Sequence, residues 1–127
     1  MKIKTSAEDY LEAILMISKN KNNVRAADIV KHTGYARASI SIALKQLRES
    51  GYITVDDKRN ITLTDTGTQI AIRTYERHLL IQNFFIALGV DEETAFTDAC
   101  ILEHGISEQS FECLSNYYQQ NFTSIKR

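Results

Sequence analysis

No proline occurs in this chain of 127 residues, and only five glycines do. Proline removes a backbone donor and clashes with the preceding turn, so its absence leaves long stretches free to form uninterrupted helices and excludes proline-rich linkers. An apolar share of 43% is enough for a modest core, in one domain or two compact subdomains. No apolar run approaches membrane-spanning length, and the segment from Met1 to Ser6 leads directly into a helical pattern bearing Glu8, Asp9 and Glu12, unlike a signal peptide. A cytoplasmic chain is expected, with Cys100 and Cys113 as free thiols.

Hydrophobic spacing gives the element order. Ser6-Ala7-Glu8-Asp9 starts a helix in the manner of a capping box, and Leu11, Ile14, Leu15 and Ile17 mark its apolar stripe up to the polar run Asn20-Lys21-Asn22-Asn23. A second helix spans about residues 26–32, and Thr33-Gly34-Tyr35 makes a tight turn. A third spans about 37–50, with Ile40, Leu44 and Leu47 inward and Gly51 as its cap. Tyr52-Ile53-Thr54-Val55 and Ile61-Thr62-Leu63 alternate as strands around the polar tip Asp56-Asp57-Lys58-Arg59-Asn60. A long helix then runs to about Leu88, another starts near Asp91, and a last one covers about 107–120.

The expected fold is mostly α: a winged helix-turn-helix with a small two-stranded wing over residues 1–63, then a helical part over 64–127. The charges agree with a polyanion partner for the front. Residues 1–80 carry 13 Lys and Arg against 9 Asp and Glu, whereas residues 81–127 carry 2 against 7. In double-stranded DNA the third helix enters the major groove. Arg37 is placed to read guanine, Ser39 and Ser41 suit phosphates or base edges, and Lys45 lies further along. Lys58 and Arg59 at the wing tip, with Lys2 and Lys4 at the N-terminus, are candidate backbone contacts.

A second constellation lies in the acidic half. Cys100, Glu103 and His104 are spaced i, i+3 and i+4, so a helix places thiol, carboxylate and imidazole on one face as a set of metal donors. Asp9 and Glu12 form another acidic face near the N-terminus, and His78 lies on the long helix between. An ion held from opposite ends of a chain controls how those ends are arranged, which is the principle of a sensor.

With these residues in place, the sequence resembles the diphtheria toxin repressor and manganese transport regulator family of metal-dependent repressors, over nearly its whole length. The resemblance rests on Glu8-Asp9-Tyr10-Leu11-Glu12, Leu63-Thr64-Asp65-Thr66-Gly67, Arg77-His78-Leu79-Leu80, Leu88-Gly89-Val90-Asp91, and Asp98-Ala99-Cys100 leading to Glu103-His104-Gly105-Ile106-Ser107. It implies a homodimer that binds palindromic operators when loaded with metal and represses metal-uptake genes. It also implies a ligand set of Asp9, Glu12, His78, Cys100, Glu103 and His104. Asp9 and Glu12 follow the manganese branch and Cys100 the iron branch. Gln82 and Phe96 stand where the iron branch has ancillary ligands, so His78 is expected to join the main cluster. With the sequence ending at Arg127, no SH3-like third domain is expected. The helical part would carry dimerisation, with Phe84, Phe85, Leu88, Val90, Ala95 and Leu102 as its core and dimer surface.

Oxygen and nitrogen donors favour Mn²⁺, and a thiolate draws the preference towards Fe²⁺, Co²⁺ or Zn²⁺; Mn²⁺ and Fe²⁺ both remain open as the activating ion. Cys113 matches no ligand position and is expected in the core. Two rival readings use the thiols differently: a winged-helix regulator sensing redox state or an organic ligand through Cys100 or Cys113, and an enzyme with Cys100 and His104 as nucleophile and base. The second finds no oxyanion-hole loop or Gly-rich element to accompany the pair.

Overall fold

The computed structural model describes residues 5–122. Its elements are α1 (Thr5–Ser18), α2 (Ala26–Thr33), α3 (Arg37–Glu49), β1 (Ile53–Val55), β2 (Ile61–Leu63), α4 (Asp65–Leu88), α5 (Glu92–Gly105) and α6 (Glu108–Phe122). The mostly helical, winged-helix class expected from the sequence is the one observed. The chain divides within α4, between Arg73 and Thr74, into two compact units. No described helix is long and apolar enough to cross a membrane.

In the first unit, α1 buries Tyr10, Leu11, Ala13 and Ile14. They pack with Ile29 of α2, Ile40 and Leu47 of α3, and Ile53 and Ile61 of the wing. α2 begins where the Asp28 carboxylate accepts the Arg25 backbone N–H (2.9 Å) and takes Lys21 Nζ at 2.8 Å. It ends at Gly34, whose φ of 78° lets its N–H return to Val30 O at 2.8 Å; a side chain there would be strained. α3 is capped by Ser50 rather than by Gly51, which follows it with φ 85°. β1 and β2 pair antiparallel with Ile53 opposite Leu63 and Val55 opposite Ile61. Val24 adds an isolated bridge, accepting the Ile61 N–H at 2.7 Å.

The wing is joined to α4 by a tight corner. Thr64 Oγ1 donates to Gly51 O (2.8 Å) and accepts the Gly67 N–H (3.1 Å), capping the first turn. Gly67 is required there, because a Cβ would overlap the Tyr52 carbonyl.

In the second unit, Asp91 caps α5 by accepting from Thr94 N (3.0 Å) and Thr94 Oγ1 (2.9 Å). Those bonds, the backbone one first, hold its carboxyl below the usual carboxylate range. Ala95 and Ala99 bury the inner face of α5, and Phe84 of α4 packs among Tyr117, Tyr118 and Phe122 of α6. Cys113 is exposed, against the expectation that it lies in the core. It sits two residues after the half-buried Phe111, and a 100° step per residue carries it to the opposite side of α6. Of the expected core residues, Ala95 is buried and Phe84, Phe85 and Val90 are half-buried, but Leu88 is 62% and Leu102 42% exposed. These two, with Phe84, Phe85, Ile101 and Leu114, line an open apolar groove of about 710 Å³.

Candidate metal centre and nucleic-acid face

In the second unit, His78, Cys100, Glu103 and His104 come together. α4 presents His78, and the i, i+3, i+4 face of α5 presents the other three. Glu103 is buried, and each of its carboxylate oxygens meets one imidazole: His78 Nδ1 at 2.8 Å from Oε1 and His104 Nε2 at 3.1 Å from Oε2. The Cys100 thiol lies 3.9 Å from the same His78 Nδ1. Phe96, at the position where an ancillary His was absent from the sequence, closes edge-on over the His78 ring with centroids 4.8 Å apart.

Burial pushes the Glu103 carboxyl up, but hydrogen bonds from His104 and His78, with their charge, outweigh it and hold its pKa below the ordinary value. An anionic oxygen pair on the buried Glu103, the imidazole nitrogens of buried His78 and half-buried His104, and the thiol of the exposed Cys100 at their edge fit a divalent transition ion by donor chemistry.

Sequence reasoning missed Arg77. Its guanidinium is buried beneath the end of α5, where the last carbonyls have no helical partner. Nη1 donates to Ile106 O (2.8 Å) and Glu103 O (3.3 Å), and Nη2 pairs with Glu108 Oε1 (2.7 Å). The charge also lies 5.1 Å from the Phe111 ring centroid. Arg77 thus ties the turn carrying Glu103 and His104 to the start of α6. Its neighbour His78 was the visible signal; Arg77 itself reads in the sequence as an ordinary surface charge.

Asp9 and Glu12 lie in the first unit, half-buried and one turn apart on α1. Their neighbour Glu8 faces Arg73 Nη2 at 3.6 Å.

The first unit also holds the expected nucleic-acid residues. Arg37, Ser39, Ser41 and Lys45 are exposed on α3, and Lys58 and Arg59 are exposed at the wing tip. A groove of about 460 Å³ between α3 and the wing gathers Arg37, Ser41, Lys45, Lys58 and Arg59, and adds Arg25 and Arg48, which sequence reasoning passed over. The tip is organised by Asp56, whose carboxylate accepts the backbone N–H of Lys58 (2.9 Å) and of Asn60 (2.8 Å). The Asn60 backbone bond is the largest cause of its lowered pKa. Arg59 takes a left-handed φ of 68°, a conformation that costs a non-glycine residue about 1 kcal/mol or more. Lys2 and Lys4 lie outside the described residues.

Residues 2–61 match the model of the iron dependent repressor N-terminal DNA binding domain, and residues 64–123 that of the iron dependent repressor metal binding and dimerisation domain. The chain belongs to the iron-dependent repressor family. Members of this family are metal-dependent transcriptional regulators rather than enzymes. This family member is 31% identical to the HTH-type transcriptional regulator MntR of Lysinibacillus sphaericus over 90% of its own length and 82% of that protein. It is likewise 31% identical to MntR of Bacillus subtilis, covering 90% and 80%. Among solved structures, a manganese-dependent transcriptional repressor in complex with manganese superposes with a TM-score of 0.79 at 26% identity. That match covers 87% of this chain and 51% of the other, so the chain spans about half the length of such relatives. The manganese regulator SloR shares the fold, with a TM-score of 0.80 at 24% identity, over 89% of this chain and 53% of SloR.

Proposed function

We propose that the protein is a homodimeric repressor that binds a palindromic operator when loaded with Mn²⁺ or Fe²⁺ and silences metal-uptake genes. The observation carrying this reading is the buried Glu103 carboxylate shared by two imidazoles, with the Cys100 thiol beside them. Asp9 and Glu12 complete the ligand set with His78, Cys100, Glu103 and His104. A bound divalent ion would supply a multiply charged centre that holds these donors deprotonated and in one arrangement. Ligands drawn from α1, α4 and α5 make affinity depend on how those helices are disposed, so loading selects a DNA-competent population. Two recognition helices then match half-sites about 34 Å apart.

Arg37 reads a guanine, Ser39 and Ser41 contact phosphates or base edges, and Lys45, Lys58 and Arg59 hold the backbone, with Lys2 and Lys4 adding phosphate contacts. The relatives named MntR and the solved manganese-bound repressor support Mn²⁺, while Cys100 draws the preference towards softer ions.

Anaerobic titration with Mn²⁺ and with Fe²⁺, read by binding to operator DNA, tests the proposal. Either ion should raise operator affinity reversibly, with chelator restoring the weak state. Binding that ignores both ions and chelator but is lost on thiol oxidation would replace this reading with a redox regulator working through Cys100 or Cys113.

A further inference from the structure

We propose that Ala38 and Ile42 form an apolar ridge on α3 that selects thymine by contact with its C5 methyl group. The inference rests on the DNA-binding reading and specifies what that face recognises. α3 buries Ile40 and Leu47 against the core. At 100° per residue the direction opposite these two is occupied by Ala38, Ile42, Lys45 and, at the helix end, Glu49, spaced i, i+4, i+7 and i+11. Ile42 is 62% exposed, more than any other large apolar side chain described in the first unit. Arg37 and Ser41 lie to the wing side of this stripe, in the basic groove.

A helix seated in the major groove presents its outermost stripe closest to the base edges. Along that stripe Ile42 has no side-chain donor or acceptor. It cannot pair with guanine O6 and N7, with adenine N6 and N7, or with cytosine N4. The thymine methyl is the apolar group that the major-groove floor offers. Arg37 and Arg48 on the wing side, with Lys45 beside Ile42 on the stripe, make this part of the face complementary to a polyanion, which favours DNA over an apolar protein partner at this residue.

The test uses the full chain with Mn²⁺ and a duplex selected from a randomised pool. Each thymine is then replaced singly by deoxyuridine, which removes the methyl and nothing else. One or two positions in each half-site should lose about fourfold in affinity, the ratio one buried methyl is worth. In Ile42→Ala the penalty at the corresponding position should vanish, while the penalties of Arg37→Ala on guanine positions persist. Uniform indifference to deoxyuridine overturns the ridge, as does an unchanged penalty in both Ile42→Ala and Ala38→Gly. Ile42→Ala altering oligomeric state but not base preference overturns it in favour of a protein contact. A pool yielding no preferred sequence with either metal overturns sequence-specific binding itself, and the ridge with it.

Discussion

The groove between α3 and the wing and the cluster around Glu103 are built on opposite physical plans. In the first, long cationic side chains stand in solvent, each reaching outward from its own backbone position. In the second, the polar groups are drawn inward and hold each other: Glu103 takes both imidazoles, and Arg77 fixes the helix end that carries two of the donors. A field of exposed charges acts as a sum of small, salt-screened terms. A buried network acts as a unit, because removing one member leaves the others desolvated and unpaired. The two regions should therefore answer mutation differently, additively in one and cooperatively in the other.

The largest effect is expected at Glu103. Glu103→Gln keeps the shape and removes the charge, and metal affinity by calorimetry should fall by more than about 100-fold, the upper end of what loss of even an outer partner costs. His104→Ala should cost a similar amount, and the double variant little more than either single one. Full additivity would erase the difference between the buried cluster and the exposed groove. Arg77→Met comes next. Metal affinity should weaken about 10- to 100-fold with helicity retained, and Arg77→Lys should rescue little, since one ammonium cannot reproduce the forked contacts to Ile106, Glu103 and Glu108. An Arg77→Met protein with unchanged metal affinity would reduce that residue to a packing role.

Arg37→Ala should cost about 1–3 kcal/mol of discrimination between the selected site and random DNA, measured by competition anisotropy. Cys100→Glu should retain Mn²⁺ activation and lose preference for Zn²⁺ and Co²⁺ in competitive titration, because a thiolate gives those ions more than a carboxylate does. An unchanged metal ranking would remove Cys100 from the ligand set. The smallest effects belong to the wing. Lys58→Ala and Arg59→Gly should weaken all DNA alike and lower the salt slope by about 0.9 for each phosphate no longer neutralised. Arg59→Gly relieves a left-handed φ, so its thermal midpoint should not fall, separating charge from fold at that position.

What the sequence revealed follows the same divide. Gly34 between two short amphipathic helices, the alternation in Tyr52–Val55 and Ile61–Leu63, and the spacing of Cys100, Glu103 and His104 are local signals, and each corresponds to an observed element or cluster. What was hidden depended on interactions between distant residues. Arg77 takes its role from carbonyls 26 and 29 positions away. Val24 joins the wing through a single bridge, too short for any alternating pattern to announce. Ile42 has the composition of a core residue and the exposure of a surface one, and only its angle around α3 tells them apart. Cys113 failed as a core residue for the same angular reason.

The open apolar groove lined by Leu88, Ile101 and Leu102 has a thermodynamic consequence for the proposed dimer. If pairing of two copies covers it, association is part of the folding equilibrium, and the native state gains by mass action. The protein's resistance to heat or urea would then rise with its own abundance, by about 1.4 kcal/mol per dimer for each tenfold increase in concentration. A dilute regulator of this kind is a less durable molecule than the same regulator in excess, and its lifetime in the presence of proteases would follow its expression level.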